Sequence, residues 1–167
     1  MKQKRTVESL VKKYKTRDPF LIAEELGYVV IRYPLRGIRG FYQKINRRHV
    51  IYVSSELRDQ EARFVCAHEI AHVLLHRGHN RIFTDINTYF VVDKLEIEAN
   101  RFAVDLLYDD DDLEFFLNHP IQLAANYMGI SIELAEYRLS SIVQARRNEK
   151  SPSQAPTPET DSTENLH

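Results

Sequence analysis

The spacing of apolar positions changes period twice along the chain. Residues 6–14 carry apolar side chains at helical spacing, and Asp18 followed by Pro19 reads as an N-cap and first-turn pair opening FLIAEEL, with Gly27 placed to end it. Residues 28–33, 40–44 and 49–53 are β-branched or aromatic runs, separated by a loop bearing Pro34 and Gly37 and by the polar turn Asn46, Arg47, Arg48. They predict a small three-stranded antiparallel sheet. From Leu57 the helical period returns: one helix over 57–77 closed by Gly78, one from about Lys94 to Tyr108, and shorter ones to about Arg147. Residues 148–167 are rich in Pro, Ser, Thr and Glu with almost nothing apolar, which predicts a disordered tail. The expected fold is α+β, with a mostly helical second half in one domain over 1–147, its core starting near residue 28. No internal repeat is visible.

Composition fits one domain, since an apolar fraction of 43% in 167 residues suffices for one sizeable core. The formal net charge of −1 gives no global reason to expect binding to nucleic acid or anionic lipid. A single cysteine, Cys66, forms no internal disulfide, and the basic N-terminus lacks the apolar core of a signal peptide. No stretch approaches the roughly 18 to 20 apolar residues of a membrane span. A cytoplasmic location is expected.

The candidate chemistry lies in the 57–77 helix. Ala67, His68, Glu69, Ile70, Ala71, His72 contain HExxH, whose histidines stand four apart on one helical face and can reach one cation. Turning the helix by about 100° per residue spreads Phe64, Ala67, Ile70, Ala71, Val73, Leu74 and Leu75 around most of the circumference, so the helix is buried almost all round. Glu61, His68, Glu69, His72 and His76 collect in the remaining sector, where polar groups on a buried helix need partners. A surface helix with incidental histidines would instead show a broad face of Lys and Arg.

Hydrolytic zinc sites usually keep three protein ligands, so a third should come from another element. On the 94–108 helix, Glu96 falls on the inner edge of the stripe Leu95, Ala99, Phe102, Ala103, Leu106 and Leu107, whereas Glu98 falls on the outer side with Arg101 and Asp105. A carboxylate among core residues is costly unless paired or coordinating, which favours Glu96. The alternative is that Asp93 and Glu96 form a capping box.

The blocks AHEIAHVLLH at 67–76 and KLEIEANRFAVDLL at 94–107 together resemble the ImmA/IrrE metallopeptidases, over about residues 28–147. The resemblance implies a zincin-like domain with Zn²⁺ on His68, His72 and Glu96, and is nearest to members that cleave a helix-turn-helix repressor of a phage or integrative element. Many relatives continue the second block into Met-Pro; this chain has Tyr108 and then Asp109 to Asp112.

Two imidazoles and one carboxylate leave zinc a net positive charge that lowers the pKa of bound water toward about 7. Glu69, about 100° round the helix from His68, is placed to take that water's proton as general base. His76, Tyr89, Tyr42 and Tyr52 are all candidates for stabilising the oxyanion, with nothing to choose among them. His76 is expected to support or pack against the ligands, and Asn100, one turn after Glu96, to orient one. Cys66 projects from a different face and is expected to be buried and inert. His49 and His119 have no partner at ligand spacing.

Arg36, Arg39, Lys44, Arg47 and Arg48 make the hairpin region basic, suiting acidic protein segments or simply solvent. Residues 122–142 look like a helix-turn-helix, but the second helix offers Glu133 and Glu136 with only Arg138 to offset them, a poor match to phosphates. Direct DNA binding is not expected. The run Asp109 to Asp112 lacks the spacing of a calcium loop and reads as a solvated helix start. The leading expectation is a zinc endopeptidase acting on a protein substrate, a helix-turn-helix repressor. Its rivals are a non-proteolytic regulator with a structural metal, binding DNA or a repressor through the C-terminal helices, and a general peptide scavenger. Glu69 counts against the former, since a structural metal needs no base.

Overall fold

Asp18 opens a helix as its sequence predicts, its Oδ1 accepting the Phe20 N–H at 2.8 Å, and Gly27 ends the segment at φ +74°. The computed structural model describes residues 2–76 and 89–150, the side chains of 89–93 and 149–150 excepted. Its elements are α1 (Lys2–Tyr14), α2 (Pro19–Glu25), β1 (Val29–Tyr33), β2 (Gly40–Ile45), β3 (Arg48–Ser54), α3 (Asp59–Leu75) and α4 (Tyr89–Leu107). A 3₁₀ segment, Asp111–Asn118, then leads to α5 (Ile121–Met128) and α6 (Ile132–Lys150). The α+β class holds.

The sheet is mixed rather than antiparallel. Its order is β1-β3-β2, with β2 antiparallel to β3 but β1 parallel to it, Val29 opposite Val50 and Tyr33 opposite Ser54. An antiparallel meander would need β1 beside β2. Instead β3 takes the centre and is the most buried strand: Val50, Ile51 and Val53 are buried, while β1 has no buried residue. Gly40 sets how closely β2 lies on α3. A Cβ there would collide with Val65 Cγ1 and stand 2.7 Å from the Tyr52 carbonyl oxygen.

Helix α3 is buried nearly all round, as its composition requires, with Ala62, Cys66, Ala67, Ile70 and Ala71 fully enclosed. Small residues do this where α3 meets α4, which contributes Ala99 and Ala103 beside Phe102 and Leu106. Short side chains bring the two axes close, so that longer polar side chains at the edge of the contact can meet. The N-terminus of α3 is closed by Glu61, whose carboxylate accepts the Arg58 N–H at 3.2 Å. That bond, more than the neighbouring guanidinium, holds the Glu61 carboxyl below its usual range.

Several boundaries differ from the pattern reading. Helix α3 stops at Leu75, and Gly78, its expected stop, lies outside the described residues. Helix α4 starts at Tyr89, so Asp93 sits inside it and cannot cap Glu96. Helix α6 runs to Lys150, three residues into the expected tail, whose remainder lies outside the described residues.

The outer side of α4 is not solvent. Asp105 is 5% exposed, accepts the Tyr137 hydroxyl proton at 2.9 Å and faces buried Arg138, whose Nε is 3.7 Å from Asp105 Oδ1. Arg138 also donates to the Tyr108 carbonyl at 2.8 Å and pairs with Asp110. Arg17 donates to the Asp105 and Leu106 carbonyls and pairs with Asp109, closing the C-terminus of α4. Half of the acidic run is thus engaged in ion pairs, and only Asp111 and Asp112 stand exposed. Burial pushes the Asp105 carboxyl above its ordinary value, against the pull of Tyr137 and Arg138.

The C-terminal helices have a core of their own, Leu113, Ala124, Met128, Ala135, Leu139 and Ile142. Their helix-turn-helix turn is docked on the rest of the fold. Gln60 of α3 donates to the Tyr127 carbonyl at 2.9 Å and to the Tyr108 hydroxyl, which itself donates to the Met128 carbonyl. Tyr108 is therefore a bridge between α4 and the end of α5. Among the described residues no helix is long and apolar enough to cross a membrane.

Candidate metal centre

Four residues on one face of α3 and one turn of α4 make the site. His68 and His72 project from α3 toward α4, their Nε2 atoms 2.9 Å apart. Glu96 meets both, with Oε2 3.2 Å from His68 Nε2 and Oε1 3.3 Å from His72 Nε2. These three offer ligand atoms that all lie within 4.8 Å of one another. The edges of that triangle approach the roughly 3.3 Å separation of ligands held tetrahedrally at about 2.0–2.1 Å from a zinc ion.

The proton inventory points the same way. His68 Nδ1–H donates to Asn100 Oδ1 at 2.9 Å, which leaves Nε2 of the neutral ring as a bare lone pair aimed at His72 and Glu96. Two imidazole nitrogens and a carboxylate converging on one point repel unless a cation or a proton lies between them. The donor set suits a divalent ion.

Glu69 is 3% exposed, one residue beyond His68, in a setting where a carboxylate is not washed by bulk solvent. His72 is 4% exposed, and Tyr42 of β2 lies over its ring with centroids 6.2 Å apart. Of the oxyanion candidates, Tyr42 and His76 both lie beside His72. Tyr52 stacks on Phe41 at 4.6 Å, and strand alternation puts that pair on the opposite face of the sheet. The Tyr89 side chain lies outside those described.

His76 continues the face but is not part of the three-residue group. Its ring lies 5.3 Å from that of His72, and its Nδ1 is 3.9 Å from Glu98 Oε2. Glu98 thus faces the end of α3 instead of the outer side with Arg101 and Asp105. The helical-wheel reading separated Glu96 from Glu98 but misplaced the second, which lies 3.9 Å from His76 just past the end of α3. His49 packs edge-on to Tyr28 and His119 stacks on Phe115, both away from the group. Cys66 is fully buried among apolar neighbours, and burial raises its thiol pKa to about 12.

The model of the IrrE N-terminal-like domain, peptidase family M78, matches residues 23–140. The chain belongs to this family. Membership makes it of metallopeptidase type, and such a peptidase works with a divalent metal, for which the His-His-Glu group is the candidate seat. Among curated relatives, this M78 chain is 39% identical to uncharacterized immunity region protein 2 of Bacillus phage phi105 over 138 residues, 81% of this chain and 87% of the relative. It is 28% identical to metallopeptidase ImmA of Bacillus subtilis (strain 168) over 146 residues, 83% of this chain and 85% of the relative.

Proposed function

We propose that this chain is a cytoplasmic zinc endopeptidase that cleaves a helix-turn-helix repressor of a phage or mobile element and so relieves repression. In this reading His68, His72 and Glu96 hold the ion and Glu69 is the general base. The observation that carries it is the convergence of the three side chains at 2.9 to 3.3 Å with His68 fixed in one tautomer by Asn100. The repressor as substrate is favoured by the relative from a phage immunity region and by the relative named metallopeptidase ImmA.

Zinc held there supplies a Lewis acid for the peptide carbonyl and makes water acidic enough to ionise near neutrality. The protein does the rest. Glu69, buried beside the first histidine, takes the proton of the attacking water and returns it to the leaving amine. Asn100 keeps the His68 lone pair directed at the ion, and Tyr42 shields the His72 ring. Residues 122–142 offer little to phosphates, because Arg138, the cation expected to balance Glu133 and Glu136, is 2% exposed and engaged with Asp105 and Asp110.

The test incubates the zinc-loaded protein with the repressor encoded beside its gene. Wild type is expected to cut it at a single region. Glu69→Gln keeps the fold and the zinc but slows cleavage by about 10²- to 10⁴-fold, since glutamine cannot accept the proton. If Glu69→Gln relieves repression in cells as well as wild type does, the protein acts by binding, and the peptidase reading fails.

A further inference from the structure

A cleft of about 420 Å³ opens beside the metal centre. Two of its lining residues tie it to the chemistry. Asn100 is the partner of His68, and the Phe64 ring faces the His68 ring with centroids 6.4 Å apart. The cleft runs from there between the first turn of α3 and the α5–α6 turn, which supplies Met128, Gly129, Ile130, Ser131 and Leu134.

Its chemistry is two-part. Phe64, Ile130 and Leu134 give it an apolar floor, all partly exposed and so available to a ligand. Arg39, Arg58 and Glu61 stand along it as well. Glu61 is shared by both cations, 3.7 Å from Arg39 and 3.3 Å from Arg58, so the group keeps one net positive charge. The guanidinium side chains remain 59% and 88% exposed, free to turn toward a second carboxylate. Arg39 is the member of the basic hairpin set that lines this cleft; Arg36, Lys44, Arg47 and Arg48 do not.

The geometry points to this cleft as a specificity groove: it receives an extended segment of the protein substrate, with a large apolar side chain against Phe64, Ile130 and Leu134 and a carboxylate within a few residues of it on Arg39 and Arg58. The volume lies within the range of ligand clefts and suits one or two side chains and their backbone, not a folded domain. The α5–α6 turn, which in sequence looks like that of a helix-turn-helix, is here a wall of a peptide site. This inference rests on the peptidase reading above.

The experiment digests a library of peptides, prepared from a whole proteome, with the zinc-loaded full-length protein and reads the residues flanking each cut by mass spectrometry. Wild-type cuts should be enriched for a large apolar residue and a nearby Asp or Glu. The double variant Arg39→Glu, Arg58→Glu replaces exposed side chains and should shift the charge preference from acidic to basic by about tenfold or more, as expected when like charges are set facing each other. Leu134→Ala should lose the apolar preference and keep the acidic one. Zinc content and circular dichroism establish that each variant is folded and loaded. If wild type cuts but both variants keep its preferences, the groove assignment is overturned while the peptidase reading stands. If zinc-loaded wild type cuts the repressor but nothing in the library, the groove assignment is overturned; if it cuts neither, both fall.

Discussion

His68 donates its Nδ1 proton to Asn100 across the α3–α4 contact at 2.9 Å, so a residue of the second helix decides which nitrogen of the first faces the site. Removing that partner leaves the ring free to turn and to change tautomer. Asn100→Ala is expected to weaken zinc affinity by about 10- to 100-fold with the fold intact. Competition against a chromogenic chelator measures it; unchanged affinity would mean that packing alone orients His68.

The two carboxylates of α4 should behave oppositely. His68→Ala, His72→Ala and Glu96→Ala each remove one of three converging groups and should lose stoichiometric zinc. Glu98→Ala removes only the partner 3.9 Å from His76 and should retain it. Metal analysis of the four purified variants checks this, and zinc loss in Glu98→Ala with retention in Glu96→Ala would reverse the assignment.

Buried Arg138 and Asp105 make stability depend on acid pH in a definite direction. The Asp105 carboxyl is raised above its ordinary 3.8, so the folded protein holds that proton more tightly than the unfolded chain. Its contribution is fully present below 3.8 and is lost as pH rises through the higher folded value. Asp105→Asn should remove that falling component, visible in urea titrations as a difference from wild type that grows from pH 4 upward. Arg138→Ala leaves two carboxylates without their cation and should cost about 3–5 kcal/mol at neutral pH. A cost under 1 kcal/mol would show that Asp105 and Asp110 do not need it.

Cys66 should be silent to thiol reagents in the native protein. With its pKa at about 12, only about one thiol in ten thousand is ionised at pH 8, and the side chain is enclosed besides. A thiol-disulfide dye should react only after denaturant is added, and rapid native labelling would expose an opening of the α3 core.

The grouping of His68 and His72 with Glu96 was legible in the sequence because it depends on rotation about each helix axis. Asn100 was legible for the same reason, one turn on from Glu96. The parallel partnership of β1 with β3 was not, since apolar alternation gives the faces of a strand but not which neighbour it takes. Asp105 was misread as an outward residue because α6 packs on that side of α4 and brings polar side chains of its own, Tyr137 and Arg138. The cleft was invisible because its walls come from residues 39, 64 and 130, which no local pattern connects.

Gly40 limits how this protein can be changed. Any side chain there meets Val65 and the Tyr52 backbone, and the backbone oxygen cannot turn aside as a flexible side chain could. Laboratory evolution aimed at new cleavage specificity can therefore vary exposed Arg39 but must leave Gly40 alone. Tolerance and intolerance to mutation meet there at one peptide bond.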